Sequence, residues 1–305
     1  MTLSRRRFLS LASASCLIAP AAQAFQWQGT ALGAHARIIL DHPNAEQITQ
    51  RALAEITRLE DIFSLYRVDS EITRLNTQGH LNAPSFELLE CLSTARYTHR
   101  LTEGRFDPTV QPLWRVLADA YVAGRPADVA AIAAARARIG FDQVIFDSTA
   151  VELSAGQQLT LNGIAQGYIA DRVALLMRAE GVKDVLIDTG EILAMGAPDG
   201  HAAWPVTIVG EAQARALTGR ALATSAPYGT ILDAAGEIGH ILDPRSGAAL
   251  ETDIRQVSVS AQSAALADAV STGLCSARDG DEARRLLRNV NGVFLESVQT
   301  AADAA

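Results

Sequence analysis
Leu161-Asn162-Gly163-Ile164-Ala165-Gln166-Gly167-Tyr168 is a glycine-bearing entry into a helix, and Ala267-Asp268-Ala269-Val270-Ser271-Thr272 opens a second helix about a hundred residues later. In the second run Asp268 and Thr272 are spaced i, i+4, which puts a carboxylate and a hydroxyl on one helical face, one turn apart. An oxygen-only pair suits a hard divalent cation such as Mg²⁺. A glycine-rich helix entry offers a backbone carbonyl to a metal and N–H groups to phosphate. Together the runs point to a cation held over a phosphate-bearing ligand. The plainer alternative is that Asp268 caps a helix while Thr272 packs.

Outward from these runs the chain mixes helices and strands without strict alternation, which predicts an α+β fold of mixed sheets with packed helices. Helices are expected over 45–65, 86–101 (with Ser85 as N-cap), 126–139, 164–180, 264–277 and 281–290. Strands are expected over 34–40, 143–146, 150–153, 158–161, 184–188, 205–209, 221–224, 256–261 and 292–296. A hairpin over 231–242 is expected to turn near Ala235-Gly236. The sequence contains neither GxGxxG nor a Walker pattern, which argues against the commonest nucleotide folds.

The 305 residues suffice for one large domain or two closely packed ones, and the net charge of −8 argues against nucleic acid as a partner. Ser4-Arg5-Arg6-Arg7-Phe8-Leu9 is a twin-arginine pattern followed by an apolar stretch, and Ala22-Gln23-Ala24 fits a cleavage site. Residues 1–24 are therefore read as a twin-arginine signal peptide, which predicts a periplasmic protein beginning near Phe25. Of the three cysteines, Cys91 and Cys275 remain after cleavage, and their apolar helical surroundings predict buried free thiols. No CxxC or His/Cys cluster suggests zinc.

Further motifs lie in the same chain. They are Ser64-Leu65-Tyr66-Arg67-Val68-Asp69-Ser70-Glu71, Gly104-Arg105-Phe106-Asp107-Pro108-Thr109-Val110-Gln111-Pro112-Leu113, Ala223-Thr224-Ser225 and His240-Ile241-Leu242-Asp243-Pro244-Arg245-Ser246-Gly247. The set and its order resemble the ApbE family of FAD:protein FMN transferases from about Gly29 to about Ser297. The resemblance implies one ApbE-like flavin transferase domain over 25–298, and the small, polar residues 299–305 are read as a flexible tail. It also implies transfer of FMN from FAD, with Mg²⁺, to a Ser or Thr hydroxyl of an acceptor protein, with release of AMP.

By the same resemblance Asp268 and Thr272 are metal ligands, Gly163 gives a backbone carbonyl and Ser271 contributes through its backbone. His240 either activates the acceptor hydroxyl as a base or orients the ligand. Leu32, Ser64, Leu65, Tyr66, Arg105, Phe106, Asp107, Thr160, Gln166, Thr224, Ser225 and Ile241 are expected around FAD. From local sequence alone, Asp107 before its proline reads as structural. The chain departs from the family pattern at Thr160, usually a carboxylate, at Gln166, often Lys, and at Thr189 and Ala226, usually Gly. The neutral Gln166 and the twin-arginine leader resemble the subgroup serving nitrous-oxide respiration, whose acceptor is a membrane-bound flavoprotein. The lost charges favour one alternative, a non-catalytic FAD-binding carrier; a further alternative is an FAD pyrophosphatase, with the same metal site and water as nucleophile.

Overall fold
The computed structural model describes residues 24–31, 34–233, 235–250 and 252–304. The leader up to Gln23 and the expected FAD neighbour Leu32 lie outside the described residues. In chain order, β1 (Phe25–Ala31) and β2 (Ala34–Leu40) lead to α1 (Ala45–Phe63), α2 (Glu71–Gln78), β3 (His80–Asn82) and α3 (Phe86–Leu101). A 3-10 turn at Pro108–Val110 runs into α4 (Gln111–Val122), followed by α5 (Val129–Arg136), β4 (Ile145–Phe146), β5 (Ala150–Glu152) and α6 (Ala165–Ala179). Then come β6 (Val185–Asp188), β7 (Ile192–Met195), β8 (Trp204–Thr207), β9 (Ala214–Leu217), β10 (Arg220–Ser225) and β11 (Ile254–Ala261). The chain closes with α7 (Ala264–Leu274), α8 (Gly280–Leu287) and β12 (Phe294–Thr300).

The main sheet has seven strands in the order β1-β2-β6-β7-β10-β11-β12, every pair antiparallel. Strand periodicity divides its side chains between two cores. Ile38, Leu40, Val185, Ile187 and Leu193 face one core with Ile56 and Leu59 of α1 and Ile169 and Val173 of α6. Ile39, Leu186, Ile192 and Ala194 face the other, covered by Trp204, Val206 and Leu217 of the β8–β9 pair. Val257 and Val259 of β11 pack with Val270 and Leu274 of α7, and Leu113 and Leu117 of α4 pack with Leu232 and Leu242. The α+β expectation holds. Cys91 and Cys275 are buried free thiols, as expected.

Several expected elements differ. Residues 158–161 are not a strand, because a side chain occupies the place of a strand neighbour. Asn76 Nδ2 donates to Leu159 O at 2.8 Å, Leu159 N donates to Asn76 Oδ1 at 2.7 Å, and Thr160 N reaches Pro108 O at 2.8 Å. The hairpin over 231–242 reduces to a single bridge, Ile231 with Gly239, because Asp233 accepts the N–H groups of Ala235 and Ile238 and closes the turn early. Helix α1 stops at Phe63, with Ser64 extended at its C-cap, so Ser64, Leu65 and Tyr66 lie beyond the helix. The expected 126–139 helix is trimmed to α5, capped by Asp128. Helices α2 and α4 and strands β1, β3, β7 and β9 were not anticipated. In α4, Pro112 sits in the first turn, where its missing N–H costs nothing. At the C-terminus β12 continues through Thr300, past the expected 292–296, and 301–304 form a 3-10 turn.

Candidate functional site
A cleft of about 620 Å³ opens between the turn entering α4, the 158–166 segment, the end of β10, the 230–244 loop and α7. Its floor is the seam between α6 and α7. The two helices cap each other across that seam. Asp171 of α6 accepts Ser263 Oγ at 2.8 Å and the N–H groups of Ala264 and Ala265 at 2.8 and 3.0 Å, at the start of α7. Asp268 of α7 in turn accepts the N–H of Gly167, in the first turn of α6, at 3.2 Å. Each carboxylate thus meets the positive end of the other helix. The approach is close enough that a Cβ at Gly167 would stand 2.2 Å from Ala264 O.

Asp268 is only 3% exposed, yet it borders the cleft beside Thr272. Burial is the main cause that raises its pKa to about 7; the Gly167 N–H acts against this and Asp171 adds to it. Gly163 presses on Thr272 from the other side, since a Cβ there would lie 2.9 Å from Thr272 Oγ1. Ser271 faces away from the cleft. Its hydroxyl meets Ser225 Oγ at 2.7 Å and donates to Asp268 O at 2.9 Å, while Ser225 Oγ lies 3.2 Å from Thr272 Oγ1. The helix start at 163–167 and the i, i+4 pair of α7 therefore meet at one point.

The remaining expected residues divide. Leu65, Tyr66, Arg105, Phe106, Asp107 and Thr160 border the cleft, as do Gln166, Thr224, Ser225, His240 and Ile241. Ser64 does not; its carbonyl accepts Ser70 Oγ and Thr73 Oγ1, and its hydroxyl accepts the Tyr66 N–H, so it shapes the turn presenting Leu65 and Tyr66. Asp107 serves the structure as the local sequence indicates. Its carboxylate accepts the N–H and hydroxyl of Thr109 and the N–H of Phe141 while its edge borders the cleft. Arg105 pairs with Glu282 at 2.5 Å and Glu103 at 3.3 Å, so its charge is already answered. Gln166 stands against Gly190, where a Cβ would meet its Nε2 at 2.7 Å.

The His240 ring is packed into the cleft wall, and burial pushes its pKa below the usual 6.5. Backbone groups at Thr230 and Pro227 act weakly in the opposite direction. Nδ1 takes the Thr230 N–H at a long 3.3 Å, which orients the ring without tying it tightly.

Sequence reasoning missed Glu191. Only 6% exposed, it enters the cleft wall at the start of β7 and accepts the Thr224 N–H at 3.1 Å. Burial, then the nearby Asp268, raises its pKa well above the ordinary carboxylate value. The signal was present as Asp188-Thr189-Gly190-Glu191, two acidic residues around a glycine turn after a strand.

Among the described residues no three His, Cys, Asp or Glu side chains converge to hold a metal. The donors at the seam nevertheless fit a hard cation. They are all oxygens, they include buried carboxylates with no cationic side chain among their perturbing charges, and Mg²⁺ is characteristically held by one or two carboxylates completed by substrate phosphate and water.

The site is thus an oxygen cluster at a helix seam, beneath a cleft of about 620 Å³, on an antiparallel sheet flanked by helices. Residues 30–294 match the ApbE family, and the chain belongs to that family. It is similar to an FAD:protein FMN transferase of Klebsiella pneumoniae, 28% identical over 86% of this chain and 81% of the relative. An FAD:protein FMN transferase of Treponema pallidum is 29% identical over 84% of this chain and 79% of its own length. The crystal structure of the flavinyl transferase ApbE of Pseudomonas stutzeri, in its apo form, superposes with a TM-score of 0.78 at 26% identity, covering 92% of this chain and 96% of that one. The ApbE protein of Thermotoga maritima shares the fold with a TM-score of 0.80 at 23% identity, over 92% of this chain and 97% of its own.

Proposed function
We propose that this protein transfers FMN from FAD to a Ser or Thr hydroxyl of an acceptor protein, in a reaction that requires Mg²⁺ and releases AMP. Flavin transfer from FAD to protein follows from membership of the ApbE family among relatives of that activity. The observation that carries the finer reading is the convergence of Asp268, Thr272 and Gly163 at the floor of a cleft of about 620 Å³.

Asp268, Thr272 and the Gly163 carbonyl would hold the cation, which offsets charge on the diphosphate and makes AMP a better leaving group. The chain's own residues bind and orient. Leu65, Tyr66 and Ile241 offer apolar surface to a planar ring system, and Ser225 presents its hydroxyl 3.2 Å from that of Thr272. Burial keeps His240 neutral near pH 7, so it can accept the proton of the acceptor hydroxyl. The hydroxyl oxygen then bonds to the FMN phosphorus, the bond from that phosphorus to the bridging oxygen breaks, and AMP leaves with that oxygen. Most of the acceleration comes from positioning and charge neutralisation.

The twin-arginine run and the Ala22-Gln23-Ala24 site support export to the periplasm, and a membrane-bound flavoprotein of nitrous-oxide respiration is the proposed acceptor. Mass spectrometry of that acceptor after incubation with the mature protein, FAD and Mg²⁺ tests the reading. One FMN gained on a Ser or Thr, with AMP released, is the expected result. Free FMN and AMP with an unmodified acceptor would make the protein a pyrophosphatase, and bound FAD without AMP would make it a carrier.

A further inference from the structure
Glu191 and Asp268 share an unusual electrostatic position. Both are more than nine-tenths buried and both border the cleft. Each carboxylate engages one oxygen with a backbone N–H, Glu191 with Thr224 and Asp268 with Gly167. The second oxygen of each has no hydrogen bond among the described residues. The charges acting on them are all acidic: Asp268 and Asp188 on Glu191, and Asp171 on Asp268. Asp188, by contrast, has Arg37 at 4.0 Å. The side chain beside this pair, Gln166 over Gly190, is a neutral amide.

Two carboxylates in a poorly solvated wall ionise together only with a counter-charge, and without one they retain a proton. The diphosphate of an incoming dinucleotide adds more negative charge to the same place and cannot supply it. We infer that Glu191 is the second charged ligand of the divalent cation, and that the Glu191–Asp268 pair takes up the cation before the nucleotide arrives. This rests on the proposed metal-dependent transfer and adds a ligand and an order of binding to it. Mg²⁺ sites built from one or two carboxylates and completed by substrate phosphate have this character. Glu191 also holds the backbone of Thr224, so a cation it bound would be tied to the end of β10.

The test uses the mature protein and Mn²⁺ alone as probe, with free Mn²⁺ followed by electron paramagnetic resonance in the absence of FAD. Wild type is expected to bind Mn²⁺. Glu191→Gln should bind it at least ten- to a hundredfold more weakly, about the range seen when even an outer partner of a ligand is lost. Gln keeps an acceptor for Thr224, and the variant should melt no lower than wild type in chelator. If it does melt lower, Glu191→Asp, which keeps the charge but shortens the reach, takes its place and should also bind more weakly. Mn²⁺ binding by wild type only when FAD is present, or wild-type affinity in a folded Glu191 variant, overturns the inference. FMN transfer by wild type is measured in parallel. Transfer without FAD-independent Mn²⁺ binding sinks the inference and leaves the transferase reading standing. Glu191-dependent Mn²⁺ binding without transfer to any acceptor does the reverse.

Discussion

Asp268 and Gly167 meet across the α6–α7 seam, the carboxylate of one accepting the N–H of the other at 3.2 Å. That one contact fixes the carboxylate of α7 against the helix start that carries Gly163 and Gln166. It also leaves Asp268 buried with a single hydrogen bond to satisfy it, and the first prediction concerns that cost.

In metal-free protein, stability should fall as pH rises. The folded-state pKa of Asp268 is raised from 3.8 to about 7, so between those values the folded chain holds a proton that the unfolded chain releases. The contribution is fully present below about pH 4 and is lost by about pH 7, and the raised Glu191 acts in the same direction. Asp268→Asn retains an acceptor for Gly167 and should melt higher than wild type at pH 8 in chelator, with a flatter pH dependence, while transfer is lost. Melting temperature against pH for both proteins checks this, and equal slopes would count against it.

His240 gives a prediction of opposite sign. Its pKa is lowered by burial, so the ring stays neutral further into acid than a free imidazole. The acid limb of the single-turnover rate should therefore have its midpoint below pH 6.5. His240→Ala should slow transfer by about 10²–10⁴-fold and weaken FAD binding much less. A drop confined to affinity would recast His240 as a residue that orients the ligand.

Gly163→Ala separates site from scaffold. The added methyl would meet Thr272 Oγ1 and Cγ2 at 2.9 Å, side-chain atoms that can turn aside. Thr272 would then rotate off its place beside Asp268. Cation-dependent transfer should fall at least about tenfold, whereas urea stability should fall by only about 1–3 kcal/mol, since Thr272 Cβ at 3.3 Å asks for a small backbone adjustment beside the rotamer shift.

Asn76→Ala should be costly although Asn76 lies on a short helix. Leu159 is fully buried and both of its backbone groups depend on this amide. Orphaning each costs about 1–3 kcal/mol. Chemical denaturation should show the loss, and a change below about 1 kcal/mol would mean that water or a rearranged loop replaces the amide.

What the sequence disclosed follows the range over which each signal acts. Helix α3 was read to its exact ends because Ser85 and an apolar stripe are local signals, and Ser85 Oγ does accept the Leu88 N–H. The starts of α6 and α7 were legible from local sequence too, α6 from its glycine-bearing entry rather than from a capping side chain. Helix α4 was hidden because Pro112 reads as a breaker until it is known to stand in the first turn. The 158–161 segment looked like a strand, and only the fold reveals that Asn76, some eighty positions earlier, pairs with it. Glu191 escaped because its distinction is burial beside Asp268, a long-range fact that the Asp188-Thr189-Gly190-Glu191 turn hints at but does not disclose. Family resemblance brought most of the cleft residues together, but it did not separate those that face the cleft from Ser64 and Ser271, which hold others in place.

The crowding at Gly167 bears on how selection experiments on this protein should be interpreted. With Ala264 O only 2.2 Å from where a Cβ would go, the smallest substitution must push α6 and α7 apart, and no rotamer offers an escape. A randomised library selected merely for soluble expression should already return glycine there. Its recovery under selection for flavin transfer would then carry no information about the reaction. Position 166, whose side chain faces the cleft, is the adjacent site at which a difference between the two selections would speak to chemistry.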